Sequence, residues 1–85
     1  MARRIEYSRD AARTLARIDQ ATSRRIRQKV EQLAAEPEAL ANNVRALKSS
    51  GGLRRLRVGD WRVLFTETLV VIAVQKVAPR GSAYE

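Results

Sequence analysis

The feature that most constrains this chain is a two-residue connection, Gly59-Asp60, between two segments of strand-forming residues. Leu53–Val58 precedes the connection and Trp61–Thr66 follows it. Glycine at the first of two turn positions favours a type II′ turn, which joins neighbouring antiparallel strands. A loop of this length also fixes which residues lie opposite each other, so the sequence predicts a hairpin of known register.

The predicted register separates an apolar face of the hairpin from a basic face, because side chains alternate along a strand. The apolar face comprises Leu56, Val58, Trp61, Val63 and Phe65. The basic face carries Arg55, Arg57 and Arg62, with Arg57 directly opposite Arg62. Since opposed like charges destabilise a sheet, we interpret this cluster as a site for an anion, such as RNA phosphate or an acidic peptide. The alternative is that the arginines extend separately into solvent, where screening weakens their repulsion.

The N-terminal part of the chain predicts a short strand at Arg4–Tyr7 and then two helices. Ser8 is a favourable N-cap for the first helix. Its apolar residues at helical spacing are Ala11, Ala12, Leu15 and Ile18. After a break near residues 19–21, Thr22 or Ser23 would cap the second helix, and Pro37 would end it. Its apolar stripe is Ile26, Val30, Leu33 and Ala34. The short connection indicates an antiparallel helical hairpin.

The remaining segments complete the predicted fold. Residues 37–52 look irregular, with Asn42 and Asn43 as turn residues. Within this loop the residues expected to anchor it to the core are Leu40, Val44 and Leu47. The apolar segment Leu69–Val77 predicts a last strand covered on both faces. The 85 residues suffice for one domain, residues 1–85. We therefore expect an α+β fold of order β-α-α-β-β-β, an antiparallel sheet with the helical hairpin packed on one face.

The charge of the chain indicates a polyanionic partner. Seventeen Lys and Arg residues, mostly arginine, oppose nine Asp and Glu residues, which gives a net charge of +8. Arginine's planar group suits phosphates and base edges, so nucleic acid or an acidic protein segment is expected. The alternative is that the charge serves solubility. Without cysteine or histidine, the chain lacks thiolate ligands and the commonest acid–base group, and we expect neither metal nor cofactor.

Neither a signal peptide nor a membrane span is expected. The first ten residues lack the apolar segment of a signal peptide. The longest apolar run, Leu69–Val74, is too short to cross a bilayer. We therefore expect a cytoplasmic protein without a membrane partner.

Two further candidate residues, Arg80 and Tyr84, lie near the C-terminus. Their four-residue spacing would place both on one side of a short turn after the last strand. They would join the basic face if this segment folds back over the sheet. The alternative is a frayed terminus, as is common for end residues.

Three segments of the chain resemble the RelE/ParE superfamily of toxins from bacterial type II toxin–antitoxin systems. Residues 53–65 (LRRLRVGDWRVLF) are similar to the hairpin motif of that superfamily. Val44–Lys48 is similar to the segment before the hairpin, and Val77–Tyr84 to the closing segment. The resemblance covers essentially the whole chain. It implies a microbial-RNase-like fold and a cognate antitoxin and, for the RelE branch, cleavage of mRNA in the ribosomal A site.

The resemblance also assigns candidate site residues. The catalytic residues of the RelE branch carry over to Arg55, Arg57, Arg62, Arg80 and Tyr84. Arg62 and Arg80 would stabilise the charge that develops on the scissile phosphate, and Tyr84 would exchange a proton. Arg55 stands where lysine is more usual, and a general-base role is weaker there because arginine stays protonated. Further candidate RNA-binding residues are Arg45, Lys48 and Arg54.

Two other functions remain open. The ParE branch shares the fold and inhibits DNA gyrase without nuclease chemistry. The absence of histidine and of the usual lysine favours that branch, whereas the arginine and tyrosine set favours RelE. The third possibility is an inactive basic binding module, which would not arrest growth. In each case we expect an antitoxin that lays an amphipathic helix and an extended segment across the exposed apolar and basic surface.

Overall fold

The computed structural model describes residues 2–47 and 51–81, and these residues contain a five-stranded sheet and three helical segments. The strands are β1 (Arg4–Tyr7), β2 (Val44–Ala46), β3 (Arg54–Val58), β4 (Trp61–Glu67) and β5 (Val71–Pro79). Their order across the sheet is β1-β5-β4-β3-β2. The helical segments are α1 (Arg9–Arg17), α2 (Gln20–Ala35) and a 3₁₀ segment (Pro37–Asn43). No helix in this part of the chain is both long and apolar enough to cross a membrane.

The α+β class is confirmed, but the prediction of a purely antiparallel sheet is wrong. Strands β2 to β5 pair antiparallel, whereas β1 lies parallel to β5 at the sheet edge. Backbone hydrogen bonds fix the two ends of this parallel pair: Arg4 donates to Val70 and Ser8 donates to Val74, each at 2.8 Å. The first strand thus pairs with the last, and no local pattern in either segment shows the direction of such a distant pairing.

The first predicted helix cap is confirmed and the second is wrong. Ser8 Oγ accepts from the Ala11 backbone N–H at 3.0 Å, and the Ser8 hydroxyl donates to the Gln75 carbonyl at 2.6 Å. The second cap is Asp19, whose Oδ2 accepts from Thr22 N–H at 3.0 Å, so Thr22 and Ser23 lie inside α2. Hydrogen bonds from the side chain and the backbone N–H of Thr22 lower the pKa of the Asp19 carboxyl. Aspartate, threonine and serine can all cap a helix. Asp19 is the cap here because its backbone has the extended conformation that an N-cap needs.

Residues 37–52 are more regular than predicted. Helix α2 ends at Ala35, as Pro37 predicts, and Pro37 then opens the 3₁₀ segment. Leu40 is buried, and Val44 packs at the margin of the core. Strand β2 was not predicted, because a three-residue strand is defined by its pairing with β3 rather than by its own pattern.

The last strand begins later than predicted. Leu69 and Val70 are 91% and 66% exposed and belong to the turn between β4 and β5. Thr68 Oγ1 accepts from the backbone N–H groups of Val70 and Val71, at 3.2 and 3.0 Å, and this holds the turn. The apolar run therefore includes turn residues, since hydropathy alone does not mark where a strand starts.

The core lies between the helices and one face of the sheet. The apolar hairpin face predicted from the register is confirmed, because Leu56, Val63 and Phe65 are fully buried. The buried residues that the two helices contribute are Ala11, Leu15, Ile26, Val30, Leu33 and Ala34. The opposite face of the sheet carries basic side chains together with two buried apolar residues, Leu64 and Ala78.

Candidate nucleic-acid interface

The predicted hairpin register is confirmed. Arg57 lies opposite Arg62, and Arg55 lies opposite Leu64. Gly59 has a φ of +58°, the positive value that the first position of such a turn requires and that glycine adopts without strain. The turn therefore sets the position of every arginine on the two strands.

Strand β2 extends the basic cluster by one residue, because Arg45 lies directly opposite Arg55. The sheet thus carries a group that we call the arginine face: Arg45, Arg55, Arg57 and Arg62. These residues alternate with Val44, Leu56 and Val63, which point towards the helices. Four arginines on three adjacent strands therefore occupy the side of the sheet away from the core.

The four arginines differ in exposure. Arg45 and Arg57 are exposed, Arg55 is half-buried, and Arg62 is only 8% exposed. Arg62 Nη1 donates to the backbone carbonyls of Gly59 and Trp61, at 3.1 and 3.0 Å. Its guanidinium group is therefore held against the turn by two hydrogen bonds.

Arg80 lies beside the same turn. Its backbone N–H donates to the Asp60 carbonyl at 2.6 Å, directly after β5 ends, and its side chain is exposed. The structure therefore brings Arg80 to the end of the hairpin at which Arg62 is held. The other predicted residues Lys48 and Tyr84 lie outside the described residues.

Arg54 does not join the arginine face. It lies on the opposite side of β3 from Arg55, and its Nε contacts Glu67 Oε2 at 3.0 Å. Arg3 binds the other oxygen of the same carboxylate. Arg54 is thus part of an ion-pair cluster with Arg3 and Glu67. The alternation of β3 side chains implies its side of the sheet, but not these partners.

A small pocket opens beside the arginine face. We call it the asparagine pocket, and its volume is about 270 Å³. Its lining residues are Ala41, Asn42, Asn43, Val44, Arg45, Arg55 and Arg57. The two asparagines come from the end of the 3₁₀ segment, and sequence reasoning treated them only as turn residues. The signal in the sequence that could have found them is their position, three and two residues before Arg45. In the described part of the chain, no group of three or more acidic side chains could hold a metal ion.

Comparison with known proteins identifies the family. The family described as the ParE toxin of type II toxin–antitoxin systems matches residues 5–84. This chain belongs to that toxin family. A comparison with curated proteins gives no match. The resemblance to the RelE/ParE superfamily is thereby confirmed over nearly the whole toxin.

Solved structures of related toxins share the fold of this toxin. A chain of the RelE–RelB complex from the archaeon Pyrococcus horikoshii is 30% identical, with a TM-score of 0.78, over 98% of the toxin and 100% of that chain. Isolated Escherichia coli RelE is 13% identical, with a TM-score of 0.76, over 96% and 88% of the two chains. The YoeB dimer of Staphylococcus aureus is 18% identical, with a TM-score of 0.73, over 92% and 97%.

A second concave region of the toxin lies on the helical hairpin. Its volume is about 440 Å³, and its lining includes Leu15, Ile18, Ser23, Arg24 and Arg27. Arg27 also lies over the Tyr7 ring, 5.6 Å from its centroid, in a cation–π contact. This groove belongs to the helices, and none of the arginine face lines it.

Proposed function

We propose that this toxin is a ribosome-dependent mRNA endoribonuclease. The observation that carries the proposal is the arginine face, in which Arg57 directly opposes Arg62 and Arg45 directly opposes Arg55. Such pairs lower the stability of the free protein and are compensated when an anion binds between them. Three adjacent strands fix the backbone positions of these arginines, and contacts of this kind to phosphates set the register of a protein on a nucleic acid.

The proposed chemistry is transesterification within the RNA strand. The 2′-oxygen of one ribose loses its proton and forms a bond to the adjacent phosphorus, while the bond from phosphorus to the 5′-oxygen breaks. The leaving oxygen takes up a proton, and the products are a 2′,3′-cyclic phosphate and a free 5′-hydroxyl. Negative charge develops on the non-bridging oxygens, where fixed guanidinium donors are most effective.

Within this chemistry, Arg62 and Arg80 are the proposed clamp on the phosphate. Arg62 is already held by the Gly59 and Trp61 carbonyls, so little reorganisation accompanies the reaction. Arg55 and Arg57 would bind the neighbouring backbone. Tyr84 is the proposed proton-exchanging group, because arginine stays protonated and cannot act as a base. The ribosome would supply the orientation of the mRNA.

A reconstituted translation reaction on a defined mRNA, read by primer extension, tests this function. We expect cuts at A-site codons that require the ribosome, and a rate lowered by about 10²-fold or more in Arg62→Ala. Arg13→Ala, which removes an exposed arginine from α1, is the matched control and should cut at the wild-type rate. Equal rates for wild type and Arg62→Ala would contradict the assignment.

The ParE branch supplies the second candidate function. The family that matches residues 5–84 is named for ParE, and the chain has no histidine to act in acid–base chemistry. On this alternative the arginine face binds DNA gyrase and cuts no RNA. Intact mRNA together with inhibited DNA supercoiling would establish it.

A cognate antitoxin is the proposed protein partner, since several related structures are toxin–antitoxin complexes. We propose that acidic antitoxin residues neutralise the arginine face while an amphipathic helix covers apolar surface. The affinity should therefore fall as salt rises, because ions screen the charges. An affinity that does not depend on salt would contradict this mode of binding.

A further inference from the structure

We propose that the asparagine pocket holds one nucleotide of the RNA, with its phosphate on the arginines and its base edge on the amides of Asn42 and Asn43. This inference rests on the proposed RNA-cleaving function and names a subsite within it. The proposal adds two neutral residues, Asn42 and Asn43, to the charged residues of the arginine face as candidate RNA contacts. It also gives the toxin a means of preferring one base over another.

The fold builds this pocket from two separate segments. The 3₁₀ segment ends at Asn43, and the chain passes at once into β2, whose Val44 packs against the core. Register with β3 then places Arg45 opposite Arg55. The two asparagines are thereby held beside the arginines of β3.

The size of the pocket suits a small group. Its volume of about 270 Å³ lies just below the range of pockets that take drug-sized molecules, roughly 300–1,000 Å³. Asn43 is partly buried, whereas Asn42 and Arg57 are exposed, so the polar lining can be reached from solvent. We therefore infer that the pocket takes a single nucleotide unit rather than a longer segment of the strand.

The chemistry of the lining favours a nucleotide over an acidic side chain. A guanidinium only donates hydrogen bonds, whereas an asparagine amide both donates and accepts. A carboxylate only accepts, so it would leave the amide carbonyls of the pocket without a donor. A base edge offers donors and acceptors side by side, and asparagine pairs with adenine through two such bonds. Single-stranded RNA presents these edges when its bases are splayed out, and arginine planes can stack on them.

Four of the five polar side chains that line the pocket are not engaged by the rest of the described chain. Within residues 2–47 and 51–81, no hydrogen bond or ion pair involves the side chains of Asn42, Asn43, Arg45 or Arg57. These four side chains therefore present their donors and acceptors to the open volume.

Nuclear magnetic resonance on the ¹⁵N-labelled toxin tests the subsite without any ribosome. Asn42 and Asn43 are the only asparagines, so their side-chain NH₂ signals are assigned by single substitution to alanine. Adenosine 5′-monophosphate should shift these signals, whereas ribose 5-phosphate should move only the backbone signals of β2 and β3. Equal amide shifts with both probes would overturn the proposal, because the pocket would then recognise phosphate alone. A glutamate-rich peptide that displaces the nucleotide and shifts the same signals more strongly would also overturn it.

The distribution of cut sites tests the same subsite in the proposed reaction. On an mRNA with all codons represented, Asn43→Ala should reduce the preference among bases at one codon position by about 5-fold or more. Gln28→Ala, which removes an exposed amide from α2, is the matched control and should keep the wild-type preference. An unchanged distribution in Asn42→Ala and Asn43→Ala, with wild type cutting, would overturn the subsite alone. No cutting by wild type would overturn the proposed function, and the NMR titration would still decide whether the pocket takes a nucleotide.

Discussion

Replacing Arg57 by glutamine should make the free toxin more stable, because it removes one member of a directly opposed like-charged pair. Arg57 lies opposite Arg62, and Arg55 is on the same face of the same strand. Opposed charged pairs change stability by about 0.2–1 kcal/mol. Because hydrogen bonds hold the Arg62 guanidinium against the turn carbonyls, we take the middle of this range and expect a gain of about 0.5 kcal/mol. For a chain of this length, that corresponds to a rise in Tm of roughly 2–4 °C.

The measurement is urea unfolding at two ionic strengths. At about 0.01 M salt the charges on neighbouring strands interact, whereas at about 1 M they are screened within roughly 3 Å. The gain from Arg57→Gln should therefore be present at low salt and nearly absent at high salt. Arg57→Lys keeps the charge and should keep most of the penalty. Arg13→Gln, which removes the same charge from the exposed surface of α1, should change stability by less.

The opposite result would refute the reasoning about the arginine face. If Arg57→Gln is less stable than wild type at low salt, or if its gain does not depend on salt, the arginines do not strain the sheet. The structural case for an anion site would then be lost. Under the proposed function, the same variant should bind RNA less tightly and with a salt slope lower by about 1.

Three further predictions concern the fold. Ser8→Ala should lower the free energy of unfolding by about 2 kcal/mol in urea titrations, because it removes both a helix cap and the hydrogen bond to the Gln75 carbonyl. Ser8→Thr keeps the hydroxyl, so its free energy of unfolding should fall by less. Burial raises the pKa of the Tyr7 phenol above its usual 10.0 while the Arg27 charge opposes the shift. The stability that neutral Tyr7 contributes is therefore complete below pH 10 and is lost as pH rises through the folded-state pKa. Tyr7→Phe should accordingly lose less stability than wild type in alkaline urea titrations, and identical pH profiles would contradict the shift. Phe65→Ala should cost about 3–5 kcal/mol, because Phe65 is fully buried, and a cost below about 1 kcal/mol would contradict its place in the core.

The local pattern of the sequence predicted the features that depend on neighbouring residues. Gly59-Asp60 specified the hairpin register, and alternation then placed Arg55, Arg57 and Arg62 on one face. Ser8 and Pro37 marked the ends of the helices. Each of these features follows from interactions within a few residues, so each is encoded where it occurs. The motif over residues 53–65 also led to the toxin family.

Only the tertiary structure decided the features that depend on distant pairing. The parallel alignment of β1 with β5 joins the two ends of the chain, and β2 exists because it pairs with β3. The asparagine pocket has the same origin, because Asn43 and Arg57 meet only after the 3₁₀ segment and β2 have packed against β3. Burial of Arg62 against its turn likewise depends on the folded backbone around it. A sequence lists these residues in order, but the free energy that brings them together comes from burying a shared core, and that is a property of the whole chain.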